Sequence, residues 1–174
     1  MIISNLGSSL VRCSNPFSQN DCASLNLFSS NSKLGSYFEV NGSSQALSNH
    51  NTRYAAIFTR GVLNDKLPYI FEDGNQTRDF IHVKDVAKAS LNALEHNSAN
   101  YQAINIGTGK PLSIKALAET LTKLYDKPLL QPYLSNEYRK GDIRHCYADT
   151  TKAQKLLNFK PTITLENGLN ELAK

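Results

Sequence analysis

The sequence predicts a small mixed α/β lobe, and three observations predict it. From residue 52 onward, short apolar runs alternate with helical periodicities, the pattern of strands and helices layered around one core. The stretch after Ser113 is a strongly periodic amphipathic helix, with Ile114, Leu117, Ala118, Leu121, Leu124 and Tyr125 on one face behind a serine cap. Composition also breaks near residue 50. The first 50 residues hold 13 serines and 7 asparagines with only two acidic and two basic side chains, and four serines remain after that point. The elements are few and uneven, which predicts a lobe that completes something larger.

The Ser/Asn-rich residues 1–35 bury little apolar surface per residue ordered, so the expectation for them is a low-complexity, poorly ordered segment. The ordered part is expected to begin near Ser36, where Ser36–Val40 has strand-like content ahead of a Gly42-Ser43-Ser44 turn. Thr52 caps a predicted helix through Ala55, Ala56, Phe58, Val62 and Leu63, which ends before Pro68. A strand at Tyr69–Phe71 and a turn at Glu72-Asp73-Gly74-Asn75 follow, then a second apolar run, Phe80, Ile81 and Val83. Asp85 is expected to open a helix reaching His96, with Val86, Ala89, Ala93 and Leu94 facing the core. Gln102–Ile106 reads as a strand, Gly107-Thr108-Gly109 as a turn, and the Ser113 helix comes next. After Pro128 come an extended piece at Leu129–Leu134, a polar loop at Ser135–Gly141 and a strand at Ile143–Ala148. Two short helices, Lys152–Leu157 and Leu165–Leu172, are separated by Pro161.

With 174 residues the chain is long enough for one domain with a core. Its net charge of +4 contains no basic run, so electrostatics does not call for nucleic acid. Three cysteines, Cys13, Cys22 and Cys146, are odd in number and lack metal-ligand spacing, which suits a reducing compartment. No basic-then-apolar leader opens the chain and no apolar run approaches the ~18 residues of a membrane span, so the expectation is a soluble cytoplasmic protein without a metal site.

Two stretches carry chemistry. In Ile70–Val86, Arg78 stands between polar residues ahead of an apolar run, well placed to meet an anion; the alternative is a hairpin with an ordinary surface arginine. In Glu137–Asp149, Arg139 is followed three residues on by Asp142, after a flexible Gly141. Guanidinium matches phosphate oxygens bidentately and a carboxylate accepts from both hydroxyls of a sugar diol, although such a loop is also compatible with solvated charges making weak local pairs. Gly107-Thr108-Gly109 imitates a dinucleotide loop, but the third glycine that close helix–strand packing requires is replaced by Leu112, which favours a plain turn.

Taken together, Ile70–Asp85, Ala103–Gly109 and Arg139–Asp149 resemble, in that order, the C-terminal half of the NAD-dependent epimerase/dehydratase family. These are extended short-chain dehydrogenases acting on nucleotide sugars, with UDP-glucose 4-epimerase, an isomerase of carbohydrate metabolism, as a representative activity. The resemblance covers about residues 36–174 and implies a substrate-binding lobe. It implies that Arg78 and Arg139 grip the pyrophosphate of a UDP- or TDP-sugar, that Asp142 takes the ribose hydroxyls, and that Tyr69, Ile70 and Phe71 lie against the base.

Departures narrow that implication. The family carries a Rossmann half with Gly-x-x-Gly-x-x-Gly for NAD and a Tyr-x-x-x-Lys pair for proton transfer and cofactor orientation. None of the nine glycines here begins the first pattern, and none of the eight tyrosines has lysine four residues on. No catalytic or cofactor-binding residue is therefore expected, and NAD is not expected to bind this chain alone. At Tyr37–Asn49, Glu39 stands where the family has an asparagine, Asn41 where it has tyrosine, and Ser43-Ser44 where it has proline-arginine. A carboxylate at Glu39 facing the site would repel a pyrophosphate. Three readings follow: a truncated family member needing a separate Rossmann half or another copy, a non-catalytic nucleotide-sugar-binding module, or a decayed fragment.

Overall fold

The computed structural model describes residues 11–13, 24–25, 34–37, 39–42, 45, 54–138 and 143–172, with side chains from residue 39 onward. Most of the Ser/Asn-rich region, the expected Thr52 cap, and Arg139 to Asp142 lie outside the described residues.

Four short strands come first: β1 (Val11–Cys13), β2 (Ser24–Leu25), β3 (Leu34–Tyr37) and β4 (Glu39–Asn41). Helix α1 (Tyr54–Leu63) leads into β5 (Tyr69–Ile70), β6 (Thr77–Arg78) and β7 (Phe80–His82). Then follow α2 (Val83–Glu95), β8 (Ala103–Ile106), β9 (Leu112–Ser113) and α3 (Ile114–Leu124). The chain continues with β10 (Tyr133–Leu134), β11 (His145–Ala148), α4 (Thr151–Leu157) and α5 (Leu165–Leu172).

Among the described residues these strands form four small sheets rather than one large one. The largest has the order β1-β11-β6-β9, in which β11 runs parallel to β6 while the outer pairs are antiparallel. Strands β2, β3 and β8 form a second, β10 and β5 a third, and β4 and β7 a fourth.

Strand β7 divides the interior. Successive side chains of a strand point to opposite faces, so Phe80 joins one apolar cluster with α1, α3 and α5 while Ile81 joins another. The first cluster holds Phe58, Ile70, Leu117, Leu121 and Leu169; the second holds Ala89, Ile104, Ile106, Leu157 and Phe159. Helix α3 starts as its cap predicts, with Ser113 Oγ accepting from the Ala116 amide at 3.1 Å. Helix α1 ends on Lys127, whose Nζ donates to the carbonyls of Val62 and Leu63 at 2.9 and 3.1 Å.

Helix α2 ends at Glu95 with His96 as its cap, as expected, but departs from expectation at its start. It begins at Val83 because His82 is the cap, its Nδ1 accepting from the Lys84 amide at 3.2 Å. Asp85 is instead buried and turned away from its own helix, accepting from the Thr162 amide and hydroxyl and the Ile163 amide. It fastens the segment after Pro161 onto α2. Leu94, expected on the core face, is half exposed.

Candidate functional site

The stretch from Pro68 to Arg78, whose strands β5 and β6 belong to different sheets, is bonded along its length to residues 133–137 and 144–146. The Tyr133 amide donates to the Pro68 carbonyl at 2.9 Å and the Ser135 amide to the Ile70 carbonyl at 2.9 Å. At the turn, the Glu72 amide donates to the Glu137 carbonyl at 3.1 Å while the Asn136 amide donates back to the Glu72 carbonyl at 3.3 Å. Past the bend, the Thr77 amide donates to the Arg144 carbonyl at 2.8 Å, and β6 pairs with β11 so that Thr77 faces His145 and Arg78 faces Cys146. Thr77 Oγ1 lies 2.9 Å from His145 Nδ1. Glu137 and Arg144, the residues bonded here on either side of positions 139–142, thus both meet the Pro68–Arg78 stretch.

Arg78 is 6% exposed. Its Nη1 donates to the carbonyls of Thr77 at 2.9 Å and Arg144 at 3.4 Å, and its guanidinium carbon lies 5.8 Å from the centre of the Tyr54 ring. Burying an ionised guanidinium is expensive unless it is bonded, and these groups meet part of that cost. Arg144 forms the outer brace, with Nη1 on Glu72 at 2.8 Å and Nη2 on Asp73 at 2.6 Å. The Arg144 bond, and after it those from Asn75, hold the Asp73 carboxyl well below the usual carboxylate range.

On the same stretch, Tyr69 and Phe71 share one face of β5 and its continuation while Ile70 is buried beneath. Their rings meet edge to face at 5.3 Å, Tyr133 adds a third ring 5.5 Å from Tyr69, and the Tyr69 hydroxyl donates to Glu137 Oε2 at 3.0 Å. Glu39 is buried in β4, opposite Phe80 in the β4–β7 register. Of the residues singled out from sequence, Tyr69, Ile70 and Phe71 lie on β5 and its continuation and Arg78 on β6, in a separate sheet; Arg139 and Asp142 lie outside the described residues.

Asp79 is the residue that sequence reading passed over. It is fully buried and its Oδ1 accepts from the Thr108 amide at 2.9 Å and from the Thr108 hydroxyl, while Oδ2 accepts from the Gly109 amide at 2.8 Å and the Ala148 amide at 3.1 Å. Gly107 must lack a side chain here, since a Cβ would sit 2.6 Å from Asp79 Oδ2 and 2.6 Å from Ala148 Cβ. The amides that a phosphate would use at this Gly-x-Gly turn are already taken by a carboxylate of the chain itself. The turn does not fit a dinucleotide pyrophosphate. Among the described residues no group of three or more His, Cys, Asp or Glu could hold a metal ion, and no helix is long and apolar enough to cross a membrane.

Comparison with known proteins agrees with this architecture. The sequence model of the NAD dependent epimerase/dehydratase family matches residues 25–107. A dTDP-L-rhamnose 4-epimerase from Burkholderia thailandensis is 35% identical over 133 residues, 76% of this chain and 36% of the relative. The chain belongs to the NAD-dependent epimerase/dehydratase family. A UDP-glucuronate 4-epimerase from Thermodesulfobacterium geofontis is 38% identical over 113 residues, covering 64% of this chain and 34% of its own length. Among solved family structures, UDP-glucose 4-epimerase of Thermotoga maritima with UDP-glucose superposes with a TM-score of 0.71 at 32% identity, covering 80% of this chain and 44% of that one. UDP-glucuronic acid 4-epimerase of Bacillus cereus, in complex with UDP-glucuronic acid and NAD, gives 0.70 at 30% identity, covering 80% and 43%. The chain thus spans a little over a third of these sequence relatives and under half of these structures.

Proposed function

We propose that residues 36–174 form the nucleotide-sugar-binding lobe of an NAD-dependent sugar epimerase or dehydratase. Arg78 and Arg139 hold the pyrophosphate of a UDP- or TDP-sugar, Asp142 accepts from the ribose hydroxyls, and Tyr69, Ile70 and Phe71 flank the base. One observation supports this reading: Glu137 and Arg144, which flank positions 139–142 in the chain, are both tied to the stretch that carries Arg78, by the Glu72–Glu137 bond at 3.1 Å and the Thr77–Arg144 bond at 2.8 Å. In this reading two arginines some sixty positions apart in sequence meet on one dianion, and bidentate guanidinium–phosphate bonds supply both affinity and orientation. The exposed ring face beside them gives a base a surface on which to stack.

NAD, bound in the family's cofactor half, supplies hydride chemistry. The present chain lacks both the Gly-x-x-Gly-x-x-Gly loop and the Tyr-x-x-x-Lys pair, so its residues bind and orient the sugar nucleotide while turnover needs a cofactor-binding half from elsewhere. Titration calorimetry with UDP-glucose and TDP-glucose tests the binding role. Saturable heat is expected, and none at millimolar ligand overturns it. Incubation of UDP-glucose with the chain and NAD is expected to yield no 4-epimer, and turnover would overturn the non-catalytic part.

A further inference from the structure

We infer that Tyr54 is a positioning residue for the anion grip, fixing the plane of the Arg78 guanidinium. The inference rests on the binding role proposed above and adds to it a residue that touches no ligand.

Three observations converge. The Arg78 guanidinium carbon lies 5.8 Å from the Tyr54 ring centre, within the range where a ring quadrupole attracts a cation. Arg78 is 6% exposed, and in such poorly hydrated surroundings this attraction is less weakened by water than it would be on an open surface. The ring is itself held: Tyr54 is the first residue of α1, its ring lies 6.0 Å from that of Phe58 one turn on, and it packs against the cluster formed with α3 and α5. Orientation therefore passes from the apolar core to the ring and from the ring to the guanidinium.

The carbonyls of Thr77 and Arg144 pin Nη1. The aromatic face over the guanidinium adds a constraint on its tilt that is in place before a ligand arrives. A planar fork whose tilt is already set loses less entropy when it meets two phosphate oxygens. Tyr54 then acts on phosphate affinity without contributing a bond to phosphate.

A double-mutant cycle on the full chain tests this, with UDP as the probe and uridine, which has no phosphate, as control. Tyr54→Leu is expected to weaken UDP binding about 3- to 10-fold, the range of a partly desolvated cation–π contact. Tyr54→Phe keeps the ring and is expected to restore affinity to within about 2-fold. In an Arg78→Ala background, Tyr54→Leu should cost nothing further, and uridine affinity should be unchanged throughout. An undiminished affinity in Tyr54→Leu, or an equal loss with and without Arg78, overturns the inference while leaving the binding role intact. Failure of the unsubstituted chain to bind UDP removes the binding role and the inference with it. A ligand-free readout stands beside these should Tyr54→Leu fold poorly: in the unsubstituted chain the Arg78 Nε–H proton resonance should show an upfield ring-current shift, and its absence overturns the contact.

Discussion

The amide of Thr108 donates to the carboxylate of Asp79 at 2.9 Å, and with the Gly109 bond at 2.8 Å this closes the Gly-x-Gly turn with an anion from within the chain. A motif that in another setting cradles phosphate is here a structural joint between β6, the end of β8 and β11.

Replacing that anion should be costly. Asp79→Ala leaves buried amides of Thr108, Gly109 and Ala148 without their acceptor, and the expected loss is about 3–5 kcal/mol of unfolding free energy, from several charge-assisted bonds removed together. Urea denaturation followed by circular dichroism reads it; a change below about 1 kcal/mol would show that the carboxylate is not the joint.

Gly107→Ala probes the same joint from the other side. Its Cβ would enter contacts of 2.6 Å with Asp79 Oδ2 and Ala148 Cβ, so β11 or Asp79 must shift. Overpacking of this kind costs about 1–3 kcal/mol, and the displacement should also lower UDP-glucose affinity because β11 carries the exit of the 139–142 segment. Thermal melts and calorimetry on one preparation separate the two effects.

Arg78→Ala is expected to weaken UDP-glucose or TDP-glucose binding by about 1.5–3 kcal/mol, the value of a bond to a charged group. Calorimetry gives the ratio directly, and unchanged affinity removes Arg78 from the site.

The Arg144 brace predicts an acid response. The folded-state pKa of Asp73 is depressed, so its stabilising contribution is complete above the ordinary carboxylate pKa near 3.8 and is lost progressively as pH falls below that value. Melting curves of the unsubstituted chain and Asp73→Asn should differ at pH 6, with the former more stable, and converge as the pH is lowered from about 4 towards 2. Because both partners are 43% exposed, the gap should also narrow in high salt. A gap constant from pH 6 to 2 would detach it from Asp73 ionisation.

Local chemistry was legible in the sequence and distant partnership was not. The α3 face of Ile114, Leu117, Ala118 and Leu121 is buried as its periodicity requires, since a helix repeats its face every three to four residues whatever surrounds it. Arg78 stood out because a lone arginine ahead of an apolar run is locally conspicuous. Asp85 looked like a helix start because carboxylates favour first turns, yet its bonds go to Thr162 and Ile163, 77 and 78 positions away. Asp79 was silent for the same reason, its partners lying 29 to 69 positions off. Leu94 failed in the opposite sense: the periodicity of α2 marks a broad face, and neighbouring elements cover only part of it.

The parallel pairing of β6 with β11 joins Thr77 to His145 across 68 positions, so Arg78 precedes its partner strand by well over a third of the chain during synthesis. A growing polypeptide must first bear the loop-closure entropy of bringing these strands together, and it can do so only after Ala148 has cleared the ribosome. Released chains truncated near residue 140 would therefore have no capacity to retain UDP, and that capacity would appear abruptly, not gradually, as the end point moves downstream past β11.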